Sequence, residues 1–177
     1  MFELIKRVFS RVKTIRDETK FYKYKKLNIG VGTQYSLENL DGIAPQLITI
    51  GNDCVIAPKA VILTHDACLL PTTGRYIFKR VEIGSRVFIG YGAVIMPGIT
   101  IGNDVIIGSN CVVTKDIPSN TVVVGVPARA IGKTSDLGSR LETELIKPVF
   151  DWRKPISARD IIKQQLILLT LISKEKN

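Results

Sequence analysis

Ile83-Gly-Ser-Arg-Val-Phe88, Ile89-Gly-Tyr-Gly-Ala-Val94, Ile95-Met-Pro-Gly-Ile-Thr100, Ile101-Gly-Asn-Asp-Val-Ile106, Ile107-Gly-Ser-Asn-Cys-Val112 and Val113-Thr-Lys-Asp-Ile-Pro118 are one pattern written six times. The first place is always Ile or Val, and the fifth is Val87, Ala93, Ile99, Val105, Cys111 and Ile117. Gly84, Gly90, Gly102 and Gly108 hold the second place. A strict period of six is neither the helix period nor plain strand alternation. It suits a chain wound into a coil with flat sides, each side a short strand and a corner. One six cannot bury its apolar residue alone, so the coils must stack. The second-place glycines are expected where the backbone turns unusually.

The pattern extends towards the N-terminus. Residues 50–67 supply three more sixes, headed by Ile50, Ile56 and Ile62, and the last of them contains His65. Residues 68–80 break the period and read as a loop thrown out of the coil, with a turn at Pro71-Thr-Thr-Gly74. Residues 27–49 are irregular: Leu27-Asn-Ile-Gly-Val-Gly32 suits a first strand and corner, and Asn39-Leu-Asp-Gly-Ile-Ala-Pro45 carries turn signals. Residues 119–132 close the coil. The domain reading is a 1–26 N-terminal helix, a 27–132 coil bearing the 68–80 loop, and a 133–177 helical extension.

Of the 25 Lys/Arg and 16 Asp/Glu, residues 1–26 hold nine and three, residues 27–132 seven and seven, and residues 133–177 nine and six. The coil is neutral and the ends are basic, which speaks against a nucleic-acid binder with a charged body. Within 1–26, Met1, Ile5, Val8, Val12 and Ile15 share a helical face flanked by Lys6, Arg7, Arg11 and Lys13. Such a helix either caps the first coil or lies on an anionic membrane surface. In the extension, Ser157 to Asp160 reads as a capping box before an apolar helix at 161–173. The seven-residue run at 166–172, apolar but for Thr170, is too short to span a bilayer, which needs roughly 20. Trp152 reads as a packing anchor. Cys54, Cys68 and Cys111 form neither a disulfide framework nor a zinc pattern, which favours a reducing compartment.

From about residue 48 to 132 the chain resembles the hexapeptide-repeat acyltransferases. The six consecutive repeats carry the resemblance, with Val113-Thr-Lys-Asp-Ile-Pro118 and Val124-Gly-Val-Pro-Ala-Arg129, which look like the end of the coil in the sugar and xenobiotic O-acetyltransferase branch. The resemblance implies a left-handed parallel β-helix, three sixes to a coil, in an all-β core with terminal helices. It implies acetyl-CoA as co-substrate with no metal, and a homotrimer with its sites between subunits. The acceptor implied is a sugar hydroxyl, in cell-surface polysaccharide or a related glycan precursor. The location implied is cytoplasmic, with the basic N-terminal helix suited to the inner membrane face.

The chain has one histidine. A lone histidine is ordinarily a satisfied structural residue. Its place in Ile62-Leu-Thr-His-Asp66, where the coil opens into a loop, matches the family's general base, and imidazole suits that role near neutral pH. Two carboxylates compete to orient the ring: Asp66 beside it, and Asp53 in the same wall of sixes. Cys68, three residues on, is the weaker candidate as an acyl-carrying nucleophile. By resemblance, backbone N–H groups around Gly90-Tyr91-Gly92 stabilise the oxyanion, so Tyr91 and Gly92 are assigned to the cofactor. Ser109 suits a close approach of the pantetheine arm. Thr114, Lys115 and Arg129 match residues at the nucleotide end, where phosphates want cations. Arg75 and Tyr76 on the loop are candidates for the acceptor.

Rival readings remain open at this point. An N-acetyltransferase acting on an amino sugar or nucleotide sugar shares fold and donor. A non-catalytic scaffold shares the fold alone. A γ-type carbonic anhydrase would need three imidazoles on zinc, and one histidine per chain does not provide them.

Overall fold

In this computed structural model the described residues are 27–142, 148, 151–154 and 157–174. The helix read at 1–26 lies outside them. The chain divides into two compact units, Met1–Thr134 and Ser135–Asn177.

The first unit is a parallel β-helix with three flat faces. Face A stacks β1 (Asn28–Ile29), β2 (Ile48–Ile50), β7 (Val81–Ile83) and β10 (Thr100–Ile101). Face B stacks β3 (Val55–Ile56), β8 (Phe88–Ile89), β11 (Ile106–Ile107) and β13 (Val122–Val124). Face C stacks β4 (Val61–Ile62), β9 (Val94–Ile95) and β12 (Val112–Val113). Pairing within each face is parallel, and the register climbs eighteen residues per coil, as in Ile83↔Ile101, Ile89↔Ile107 and Ile95↔Val113. Three sixes therefore make one coil. β14 (Arg129–Gly132) turns back antiparallel on β13 and ends the stack.

First and fifth places fill the interior. Ile62, Ile89, Ile95, Ile107 and Val113 are fully buried, as are Cys54, Ala60, Ala93, Val105 and Cys111. Each large side chain so placed contributes about 1.5–3 kcal/mol over leaving it in water. The glycines are explained differently from the expectation. The left-handed backbone falls on the fourth place: Asp53, Lys59, Arg86, Asp104 and Asn110 have φ between 54° and 62°, Gly92 and Gly98 share that place and that sign, and Asn120, at φ 58°, takes the same corner in the closing coil. The second-place glycines are there because neighbouring coils touch. A Cβ on Gly84 would lie 2.7 Å from the Gly102 carbonyl group, and one on Gly90 would lie 2.6 Å from Ser109 N.

The coil beneath is longer than eighteen residues. Ile29 pairs with Ile50 and Leu40 with Ile62. Two 3-10 turns, Leu37–Asn39 and Pro45–Leu47, take up the extra chain. The loop begins earlier than read from the sequence, because β5 (His65–Asp66) pairs antiparallel with β6 (Ile77–Phe78) as the base of a hairpin. Its tip is one turn of helix, Leu70–Thr73, ended by Gly74 at φ 67°.

In the second unit, Ser157 caps the helix Ala158–Lys174. Asp160 N–H donates to Ser157 Oγ at 3.2 Å, and Ser157 N–H to Asp160 Oδ2 at 3.2 Å, which is the reciprocal box read from the sequence. The Arg153 guanidinium lies over the Trp152 ring at 4.7 Å. Among the described residues no helix is long and apolar enough to cross a membrane.

Candidate active site

After Ile62, at the end of β4, the chain leaves face C through Leu63 and Thr64 and reaches His65. Thr64 is buried, and its hydroxyl donates to Ala44 O at 2.9 Å. Because Leu40 bridges to Ile62, the next residue of the lower coil, Asp41, lies under this exit. Asp41 has no exposed surface. Its Oδ1 accepts from Ile43 N–H at 2.6 Å and Ala44 N–H at 3.0 Å. Its Oδ2 accepts from Thr64 N–H at 2.7 Å and His65 N–H at 3.1 Å, and meets His65 Nδ1 at 2.6 Å.

These contacts settle the charge on Asp41. Burial pushes its carboxyl pKa up, but the N–H groups of Thr64, Ile43 and Ala44 together with the imidazole outweigh that and hold it far below the ordinary carboxylate range. An ionised carboxylate only accepts, so Nδ1 must carry the proton. In the neutral ring Nε2 is then the bare nitrogen, on a side chain that keeps 20% of its surface exposed. The arrangement is a base oriented by an anion, able to take a proton from a hydroxyl.

Neither carboxylate named from the sequence orients this ring. Asp66 Oδ1 accepts from Cys68 N–H at 2.8 Å and closes the first turn of the loop. Asp53 sits in a left-handed corner between faces A and B. Asp41 has the position because the longer lower coil brings it under His65. The thiol of Cys68 hydrogen-bonds to Asp66, which pushes its pKa up and disfavours the thiolate a nucleophile needs.

The hairpin adds two rings. Phe78 is the register partner of His65, with ring centroids 6.1 Å apart. Tyr76 is 6.0 Å from His65 and 5.9 Å from Phe78. Tyr76, named from the sequence as an acceptor candidate, thus lies beside the imidazole. Arg75 is exposed beside it, its N–H donating to Thr73 Oγ1 at 3.3 Å.

The residues assigned to the cofactor fall into two groups. Tyr91 and Gly92 turn the corner between faces B and C, with Ser109 and Asn110 one coil above them. Asn110 N–H donates to Tyr91 O at 2.8 Å, and Lys59 Nζ lies 5.3 Å from the centre of the Tyr91 ring. Gly90 N–H is committed to Ile107 O at 2.8 Å and Gly92 N–H to Pro58 O at 3.3 Å. Tyr91 N–H is thus the donor this corner has to offer. Lys115 and Arg129 come together elsewhere, lining one cleft of about 320 Å³ with Asp116 and Thr121. Thr114 is exposed beside that cleft's Lys115. His65 follows β4 at one end of face C, whereas Tyr91 precedes β9 at the other. A single chain does not bring them together.

Sequence reading missed Asp41 and Phe78. The signal for Phe78 was its alternation with Tyr76 in a segment returning to His65. For Asp41 there was little, because the lower coil abandons the period that would have placed it.

The family model described as Bacterial transferase hexapeptide (six repeats) matches residues 80–115. The chain is 32% identical to the galactoside O-acetyltransferase of Lactococcus lactis subsp. lactis over 141 residues, covering 76% of this chain and 68% of that one. It is 37% identical to the galactoside O-acetyltransferase of Escherichia coli K12, covering 62% of this chain and 56% of that one. It is 39% identical to the putative lipopolysaccharide biosynthesis O-acetyl transferase WbbJ of the same strain, covering 49% and 50%. The chain thus spans about half the length of the two Escherichia coli proteins.

Proposed function

Since this chain belongs to the hexapeptide-repeat transferases, whose left-handed parallel β-helix it shares, we propose that it moves an acetyl group from acetyl-CoA directly to a sugar hydroxyl. The observation that carries the reading is the 2.6 Å contact between buried Asp41 and His65 Nδ1. With Nδ1–H held by an anion, Nε2 takes the acceptor's hydroxyl proton as its oxygen attacks the thioester carbonyl. A tetrahedral oxyanion forms. It collapses with cleavage of the C–S bond, and the protonated imidazole returns its proton to the leaving sulfur, releasing coenzyme A and the sugar ester.

Tyr91 N–H is suited to the oxyanion, but only from a neighbouring chain, because within one chain it lies at the far end of face C from His65. This supports a homotrimer with three sites between subunits. Ser109, one coil above Tyr91, suits the pantetheine arm. Lys115 and Arg129, with Thr114 beside them, suit the nucleotide phosphates. The names of the Lactococcus and Escherichia coli relatives favour a sugar hydroxyl, and that of WbbJ a glycan of the cell surface. The six net positive charges of residues 1–26 favour a place at the inner face of the membrane. A variant lacking residues 1–20 should float less with anionic vesicles, and equal flotation would dismiss that location.

Function is tested by thiol release from acetyl-CoA against sugars, amino sugars and oligosaccharides, for the wild type and His65→Ala. Ester formation that falls by about 10²–10⁴-fold in the variant is expected. Transfer indifferent to His65 would overturn the mechanism. Transfer confined to amino sugars would replace the hydroxyl acceptor by an amine, and absence of coenzyme A binding in calorimetry would leave a scaffold.

A further inference from the structure

We propose that Phe78, with Tyr76 beside it, is the acceptor-recognising wall of the site and selects a sugar in its closed pyranose form. The proposal rests on the reading of His65 as general base. Phe78 stands directly opposite His65 in the hairpin. Tyr76, two residues earlier and just ahead of β6, sets its ring beside both His65 and Phe78. The three rings lie 5.9–6.1 Å apart pairwise, with Phe78 tilted only 31° from the imidazole.

Exposure separates these rings from the folding core. Phe78 is 48% and Tyr76 43% exposed, while the interior Ile and Val side chains of the coil are buried. Neighbouring exposed aromatic surface beside a polar reactive group marks a binding surface more often than a folding one. The platform is also fixed at both ends. Lys79 N–H donates to Thr64 O at 2.8 Å at the hairpin base, and Gly74 N–H to Leu70 O at 2.9 Å at its tip. Rings held this way lose little freedom when a ligand arrives.

The chemistry then names the ligand class. A pyranose has a flat face of C–H bonds and a rim of hydroxyls. The face of a phenyl ring is the negative side of its quadrupole and attracts such hydrogens. A sugar seated on Phe78 presents its rim, not its face, to the adjacent imidazole, so a hydroxyl meets Nε2 while the C–H face is taken out of water. An open-chain polyol has the same hydroxyls but no fixed face.

The test compares a panel of methyl pyranosides with the alditols of matching configuration, by initial rates for the wild type, Phe78→Ala, Phe78→Leu and Phe78→Tyr, with His65→Ala alongside. Phe78→Ala should raise the KM of the best pyranoside about five- to tenfold, the range set by one aromatic contact. The KM for acetyl-CoA should stay within about twofold, and the preference for pyranoside over alditol should fall by the same factor as the pyranoside's kcat/KM. Phe78→Tyr should restore the preference and Phe78→Leu should not, since volume without a π face is not enough. An unchanged pyranoside KM in Phe78→Ala, equal rescue by leucine, or a wild type that acetylates no pyranoside overturns the proposal. So does a change of oligomeric state in Phe78→Ala by sedimentation, because the rings would then be an interface. Transfer that survives in His65→Ala instead overturns the general base, whatever Phe78 does.

Discussion

The upper coils and the coil beneath them share three sheets but follow different rules. From Ile83 to Ile117 each place in the six has its own role. The first and fifth fill the interior, the second lets coils touch, and the fourth turns the corner. Between residues 27 and 49 the spacing lengthens, 3-10 turns intrude, and polar Asn39 and Asp41 are buried. The regular part stacks well but brings no reactive group under control. The irregular part, with the hairpin that interrupts the next coil, orients the histidine. Periodicity builds the scaffold, and departures from it hold the imidazole, so substitutions in the two parts should fail in different ways.

After removal of His65 itself, the largest effect should come from Asp41→Asn. Oδ2 takes two backbone N–H groups and the imidazole N–H, while Oδ1 takes two more backbone N–H groups. An amide offers one accepting oxygen where the carboxylate offers two. Activity should fall about 10²-fold as the ring loses its fixed tautomer. Stability should fall by about 3 kcal/mol as buried donors lose their acceptor. Kinetics and thermal melts of the same samples check both. A variant that melts lower but turns over normally would reduce Asp41 to a structural part.

The same carboxylate predicts the acid limb. Its folded pKa is depressed, so its contribution is complete above the ordinary aspartate value of about 3.9 and is lost as pH falls below that towards the folded value. The gap between melts of wild type and Asp41→Asn should hold from neutrality down to about pH 4 and shrink steadily as pH falls further. A gap that does not shrink below about pH 4 would mean that the charge on Asp41 is not what stabilises the lower coil.

Two glycines set the stack against the hairpin quantitatively. A Cβ at Gly84, inside the regular stack, meets the backbone of Gly102 at 2.7 Å. Gly84→Ala should cost about 2–3 kcal/mol, because backbone must move. At Gly74, at the hairpin tip, a Cβ meets nothing, and only φ 67° opposes it. Gly74→Ala should cost about 1 kcal/mol. Denaturant titrations of the two variants measure the difference, and equal losses would mean that coil contact is not what selects second-place glycine.

The contrast also explains what could be read in advance. The six-residue period exposed the three-faced coil, its interior and the place where a loop leaves. His65 was legible because it is the only histidine and stands at that exit. Tyr76 was legible because it lies on the loop. Asp41 was hidden because its nearness to His65 is fixed by the pairing of Leu40 with Ile62, across a coil whose length no period announces. The roles of second and fourth places were exchanged for a related reason: a sequence shows where glycine recurs, and only stacked coils show whether it answers a dihedral angle or a neighbour.

The smallest effect is the one that tests the assignment most cleanly. Asp66 adjoins His65 in sequence, and proximity alone would make it the orienter. In the structure its Oδ1 serves Cys68 N–H, and its side chain stays partly exposed. Asn at this place keeps a side-chain carbonyl that can accept the same bond, as it commonly does in such turns. Asp66→Asn should therefore leave kcat and its pH profile within about twofold of wild type, where Asp41→Asn changes both. If the two variants lost activity alike, the imidazole would be answering to the charge around the loop and not to the buried carboxylate beneath it.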